Sequence, residues 1–213
     1  MKKEFLKRIL SSIILIPIAL FFIFKGSFFF NFFILFCLII TVYEWHTMSK
    51  KTPFYIFGLI FLLFSFYTFY NLRNEGDFII FLLVVITCVA TDIGGYIFGK
   101  TLKGPKLTKI SPNKTYAGMF GGFFLALIFS NFFFNNLNLL NLGDNSHISK
   151  QSFIIVLVIS LVSQIGDLVI SFFKRKSKIK NTGKLIPGHG GLLDRIDGMI
   201  FAFPFIFIIF KIL

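Results

Sequence analysis

Apolar runs of about 20 residues, separated by short polar or basic stretches, govern what this chain can fold into. A helix rises 1.5 Å per residue, so about 20 such residues cross the hydrocarbon core of a bilayer, where backbone groups must find their partners inside helices or closed barrels. Seven candidate spans stand out, at about 9–24, 28–45, 53–70, 78–98, 115–134, 153–173 and 198–213. The first and last, at about 16 residues, are short for a full crossing. The first follows Lys2, Lys3, Lys7 and Arg8 with no small-residue cleavage site after it, which predicts an uncleaved anchor. The expected fold is therefore all-α: a polytopic integral membrane protein of about seven transmembrane helices.

Composition agrees. The chain is 56% hydrophobic and 15% charged, and its 34 Phe outnumber all charged side chains together, 22 basic and 9 acidic. Soluble domains keep about a quarter of their residues charged, so a disordered chain and an ordinary water-soluble core are both excluded. The Phe, Ile, Lys and Asn excess matches AT-rich codons and carries no function by itself. Cys37 and Cys88 both lie in apolar runs and read as small hydrophobes, not as a disulfide framework.

The net charge of +13 is distributed unevenly. With the amino terminus in the cytoplasm, one side receives the four basic residues of the tail, Lys50 and Lys51, five lysines between 100 and 114, and seven basic residues between 174 and 195; the other keeps Lys25, Arg73, Lys150 and Lys211. Positive loops face the cytoplasm, so 18 of 22 on one side supports both span count and orientation. The expected location is a bacterial inner membrane, with basic loops at 99–114 and 174–197 on its cytoplasmic face. Such charge beside a bilayer favours anionic lipids and ligands over nucleic acid. Arg175 and Arg195, two of only four arginines, offer planar forks suited to phosphate or carboxylate.

The acids are few enough to place singly. Glu4 falls in the tail, Glu75, Asp77 and Asp144 in outer loops, and Glu44 ends the second span beside Trp45, where Trp commonly anchors at the interface. Asp92 and Asp167 each lie six residues before the cytoplasmic end of a span, about 9 Å deep at the helical rise. Asp194 and Asp197 precede the last span on that side. A carboxylate within a span costs at least about 2.5–3.5 kcal/mol and faces a polar cavity with a partner, so four at one depth predict a single polar, cation-filled site. On the sixth span Ser163, Asp167, Ser171 and Lys174 recur at helical spacing on one face; such serines can equally be hydrogen-bonding glue between helices. Carboxylates with phosphates are the usual surroundings of Mg²⁺, and basic loops beside them suit phosphoryl or nucleotidyl transfer at the membrane surface.

Two short motifs mislead. The segment Gly94–Thr101, GGYIFGKT, fits the P-loop pattern, but it ends an apolar span instead of following a strand. The segment Asp194–Gly198, DRIDG, begins like the CDP-alcohol phosphotransferase signature, yet Phe201 and Ala202 occupy its Ala-Arg positions and no acid follows Asp197.

The longer stretch Ser171–Asp197, SFFKRKSKIKNTGKLIPGHGGLLDRID, resembles the signature of the phosphatidate cytidylyltransferases, or CDP-diacylglycerol synthases. Ser171, Lys174, Arg175, Lys180, Gly183, Pro187, His189, Gly190, Gly191, Asp194, Arg195 and Asp197 match in register. SQIGDL (163–168), DIGGYIFGK (92–100) and ISPNKTYAG (110–118) are similar to further blocks of that family. Three positions depart from its pattern: Asn181 stands for Asp, Ala117 for Glu and Lys100 for Arg. The chain also looks short for the family, by two spans near its start.

The resemblance implies a reaction of CTP with phosphatidate giving CDP-diacylglycerol and pyrophosphate. Its implied catalytic residues are Asp167, Asp194, Lys174 and Arg195, with Mg²⁺ on Asp167 and Asp194 and a second cation near Asp197 or Asp92. Ser171, Arg175, Lys180, His189, Gly190, Gly191, Lys114, Asp92 and Asp197 are the expected substrate-binding residues, the glycines by letting backbone approach phosphate and Ser111 and Pro112 by shaping the turn that carries Lys114. Residues 1–77 are expected to be a scaffold and 78–213 the catalytic region. The implied partners are CTP, phosphatidate and membrane lipids, with a homodimer allowed and nucleic acid excluded. The competing class is a transporter or channel, which would place polar residues through the full depth of several spans instead of gathering them in the cytoplasmic third.

Overall fold

The computed structural model describes residues 2–108, 110–136, 150–186, 188 and 190–212. These form seven α-helices: α1 (Lys2–Lys25), α2 (Ser27–Ser49), α3 (Tyr55–Asn74), α4 (Phe78–Thr101), α5 (Tyr116–Asn135), α6 (Lys150–Lys176) and α7 (Leu193–Ile212). Among the described residues there is no strand, only two isolated bridges. Helices α2 to α5, and α6 from Phe153, are long and apolar enough to cross a membrane; the apolar part of α1, Ile13–Lys25, is shorter. The first turns of α7 carry Asp194, Arg195 and Asp197. The protein is thus an all-α polytopic membrane protein. Phe28, Phe32, Phe36 and Ile39, one helical stripe of α2, are each more than half exposed, as lipid permits and water does not.

The chain divides into two compact units. The first joins Met1–Asp77 to Phe173–Asp197; the second joins Phe78–Phe172 to Gly198–Leu213. The signature segment from Phe173 to Asp197 groups with the first unit.

In the first unit, α1 turns into α2 at Gly26, whose φ of 64° is open to glycine at little cost. Arg73 fastens that turn by donating from Nε to the Ile23 carbonyl at 2.7 Å. Near the other end of α2, Trp45 donates from its indole to the Tyr55 carbonyl at 3.0 Å and sets its ring edge-on to Phe173, centroids 5.1 Å apart. It is 3% exposed, so it is a packing residue and not the interfacial anchor its position suggested. The end of α6 is tied in by Ser177, which donates to the Met48 carbonyl at 2.6 Å.

In the second unit α4 lies against α5 through glycines. A Cβ on Gly94 would stand 2.8 Å from the Gly121 carbonyl carbon and 2.9 Å from Gly122 Cα; one on Gly118 would stand 2.7 Å from the Gly95 carbonyl oxygen. Lipid tails are as apolar as the helices, so close backbone approach at small residues is what holds such a pair. The P-loop-like segment is the last turns of α4, its amides spent on helical bonds and its glycines on this contact. Buried hydroxyls add to it: Thr87 meets Ser130 at 3.1 Å, and Thr91 donates to Ser160 at 2.7 Å. Polar side chains therefore reach deeper than the expected terminal third, but the deeper ones are neutral hydroxyls bonded to each other. Ser163 is glue of the same kind, since it fills the space a Cβ on Gly198 would need.

Candidate active site

Helix α6 ends in a Schellman cap, with Lys178 at φ 57°, its N–H on the Arg175 carbonyl at 3.0 Å and the Ile179 N–H on the Lys174 carbonyl at 2.9 Å. The cap turns the chain back from Lys174 in the last turn of the helix. The returning segment pairs Ile186 with Gly190 through two reciprocal backbone bonds, of 2.9 and 3.1 Å, before α7 begins.

Asp194, in the first turn of α7, organises this segment. Its Oδ2 accepts the Thr182 N–H at 2.8 Å and the Gly191 N–H at 3.0 Å, while Lys174 Nζ donates to Oδ1 at 2.9 Å. Both side chains are largely buried, 12% exposed for Lys174 and 6% for Asp194. Desolvating two charges is costly, and here the carboxylate is compensated by a cation and two amides together. An ammonium has three donors, so Lys174 retains capacity for a phosphate oxygen.

A second carboxylate grips the same segment. Glu44 Oε1 accepts the Leu192 N–H at 2.9 Å, and Oε2 accepts the Leu193 N–H at 2.9 Å and the Thr182 hydroxyl at 2.8 Å. It is 3% exposed, so its placement at a wet interface beside Trp45 is corrected. Sequence reasoning missed both Glu44 and Thr182. One signal was present: no basic residue stands three or four positions from Glu44, so its charge needed a partner elsewhere in the chain.

These carboxylates give the glycines their own reason. A Cβ on Gly190, which has φ 99°, would stand 2.7 Å from Asp194 Oδ2, and one on Gly191 would collide with Thr182 Oγ1 and Glu44 Oε2. The space that glycine leaves is thus taken by carboxylate oxygens.

In the second unit, Asp167 forms an ion pair through Oδ2 with Lys114 and accepts the Ser171 hydroxyl on Oδ1 at 3.3 Å. Lys114 is set by a turn in which its N–H bonds the Ser111 carbonyl at 3.0 Å, with Pro112 second in the turn, so Ser111 and Pro112 do shape it. Thr115 then caps α5 by accepting the Gly118 N–H at 3.1 Å. The pair is about one-quarter exposed on each side. A partly open carboxylate has the donor chemistry a hard cation needs, whereas at Asp194 a cation would have to share Oδ1 with Lys174.

Among the described residues no three His, Cys, Asp or Glu side chains gather as a complete metal site. Mg²⁺ commonly takes only one or two protein carboxylates and completes its shell with water and phosphate, so these carboxylates suit a partial ligand set. Of the other expected site residues, Asp92, Arg175, Lys180 and Arg195 are exposed, while Asp197 is buried and 6% exposed. His189 lies outside the described residues. Asn181, at the departure from the family pattern, is exposed beside Gly190.

Comparison with known proteins places this geometry. The chain is 35% identical to the phosphatidate cytidylyltransferase of Rickettsia felis over 222 residues, covering 98% of this chain and 93% of that protein. The Rickettsia conorii enzyme of the same name is likewise 35% identical, over 97% of this chain and 91% of its own length. The Staphylococcus aureus phosphatidate cytidylyltransferase is 39% identical over 139 residues, 62% of this chain but 48% of that protein. The short length is therefore shared with the rickettsial relatives. The Cytidylyltransferase family profile matches residues 52–213, which takes in α3 to α7, both lysine–aspartate pairs and the whole signature segment. The chain belongs to the cytidylyltransferase family.

Proposed function

We propose that this chain transfers CMP from CTP to phosphatidate, giving CDP-diacylglycerol and pyrophosphate for phospholipid biosynthesis. The observation that carries it is the folding of the signature residues Lys174, Gly191 and Asp194 into one ion-paired, hydrogen-bonded unit, in a chain matched over nearly its full length by proteins named for this reaction.

A phosphate oxygen of phosphatidate attacks the α-phosphorus of CTP, a new P–O bond forms, and the bond to the β-phosphate breaks with its electron pair leaving on pyrophosphate. The nucleophile is already anionic and the leaving group is good, so the protein's work is alignment and charge cancellation. Lys174 would offer its remaining donors to a phosphate oxygen, and Asp194 fixes where that ammonium stands. Arg175, Lys180 and Arg195, exposed in the same unit, would receive the triphosphate and lipid phosphate, Arg195 as a bidentate clamp. Lys114 would contact the nucleotide from its turn, and Asp167 would give a carboxylate to the cation. Mg²⁺ would supply charge neutralisation at the nucleotide phosphates and polarisation of the α-phosphorus, with Asp167 and Asp194 each a candidate carboxylate ligand and Asp92 or Asp197 a candidate for a second cation. The basic surplus of these loops supports a site on the cytoplasmic face of the inner membrane, with the amino terminus on that side.

Purified protein incubated with CTP, phosphatidate and Mg²⁺ tests this. CDP-diacylglycerol should form only when all three are present; its absence would contradict the proposal.

A further inference from the structure

We propose that Glu44 is a positioning residue for this reaction: from α2 it holds Thr182, Leu192 and Leu193 where they set Asp194 and, through it, Lys174. The inference rests on the cytidylyl-transfer reading for what is positioned, and on the geometry of Glu44 for how.

Glu44 is 3% exposed, and among the described residues no lysine or arginine pairs with it. A buried carboxylate without a cation is costly unless hydrogen bonds replace its water. Glu44 has three, from Leu192 N–H, Leu193 N–H and the Thr182 hydroxyl, all between 2.8 and 2.9 Å. Two of the donors open α7, where unpaired amides and the helix dipole favour an anion. The carboxylate thus caps α7 from another helix.

The donors also interleave with those of Asp194. Thr182 gives its hydroxyl to Glu44 and its N–H to Asp194; Gly191 gives its N–H to Asp194, and the next two residues give theirs to Glu44. Moving one carboxylate therefore moves the backbone that holds the other. Two signature glycines answer to Glu44 as well: a Cβ on Gly183 would stand 2.6 Å from Oε1, and one on Gly191 would strike Oε2. The helix carrying Glu44 is itself fixed by its neighbour Trp45, bonded to the Tyr55 carbonyl and packed on Phe173. Glutamine has one acceptor oxygen, and its NH₂ would face an amide donor, so this geometry requires a carboxylate.

The test uses the purified full-length chain in lipid nanodiscs, as wild type, Glu44→Gln, Glu44→Asp and Thr182→Val. Glu44→Gln should lower kcat by about 30-fold or more with the phosphatidate KM within about twofold, the pattern of a lost transition-state interaction. Glu44→Asp should recover part of that loss, and amide exchange at Leu192 and Leu193 should speed up in Glu44→Gln. A merely structural residue would lower the melting temperature and the folded fraction while leaving kcat per folded molecule unchanged, and that result overturns the proposal. Should Glu44→Gln fail to fold, Thr182→Val carries the test: a fall in kcat of about threefold or more supports the proposal, and unchanged kcat overturns it. An inactive wild type would instead count against the cytidylyl-transfer reading, and amide exchange then decides the positioning claim, with unchanged exchange in Glu44→Gln overturning it.

Discussion

Lys174, in the last turn of α6, and Asp194, in the first turn of α7, form a 2.9 Å ion pair that closes the signature segment on itself. The two positions stand twenty apart in sequence, and the contact ties together two parts of the stretch that the family resemblance singled out.

Because Asp194 is 6% exposed, replacing Lys174 by Met leaves a buried carboxylate with two amides and no cation. Breaking such a pair costs about 3 kcal/mol, so the melting temperature should fall together with activity. Lys174→Arg should keep the fold and lose turnover, since a planar fork does not reproduce a compact ammonium. Thermal melts and CTP turnover on the two variants check this; equal melting temperatures for Met and Arg would contradict it.

Asp167→Asn should separate stability from activity. Its pair with Lys114 is about one-quarter exposed on each side, and solvent screening keeps such pairs below about 1 kcal/mol. Melting should barely move, while turnover should fall at least about 100-fold, equivalent to about 2.7 kcal/mol of barrier. Turnover within twofold of wild type would remove Asp167 from the site.

Chelation should stop turnover without unfolding the chain. Asp167 and Asp194 each already carry a lysine as counter-charge, so neither carboxylate depends on a divalent cation for folding. With EDTA, product formation should cease and return on adding Mg²⁺, and the melting temperature should stay within about 2 °C, a shift below about 1 kcal/mol for a domain of this size. Unfolding on chelation would show a structural metal instead.

Much of this architecture was legible in the chain, because a span must satisfy its backbone internally and therefore announces itself by length and apolarity. The runs at 28–45 and 78–98 match α2 and α4 within a few residues. The helical spacing of Asp167 and Ser171 put them on one face, where the Ser171 hydroxyl donates to Asp167. Glu44 was not legible, because its donors stand 138 to 149 residues away and its neighbours, Trp45 and His46, look like an interfacial anchor. The hydroxyl contacts of Thr87 with Ser130 and of Thr91 with Ser160 were hidden likewise. Hydropathy counts such residues as slightly polar and cannot tell which helix they face.

The P-loop resemblance of Gly94–Thr101 separates by mutation. In a P-loop the final Thr would bind Mg²⁺, whereas here the Thr101 hydroxyl donates to the Ile97 carbonyl of its own helix at 2.8 Å. Thr101→Ala should leave turnover within about twofold, inside the scatter of a surface change. Gly94→Leu should reduce the folded yield, because a side chain there meets the backbone of Gly121 and Gly122.

The most direct measurement of the central claim follows the two ends of the nucleotide triphosphate. CTP labelled on the α- or the γ-phosphate is supplied with phosphatidate and Mg²⁺ to purified wild type and to Asp194→Asn. The account predicts that wild type carries the α-label into lipid and releases the γ-label as pyrophosphate, and that Asp194→Asn does neither. Wild type that leaves the lipid unlabelled, or Asp194→Asn that labels it at the wild-type rate, would contradict it.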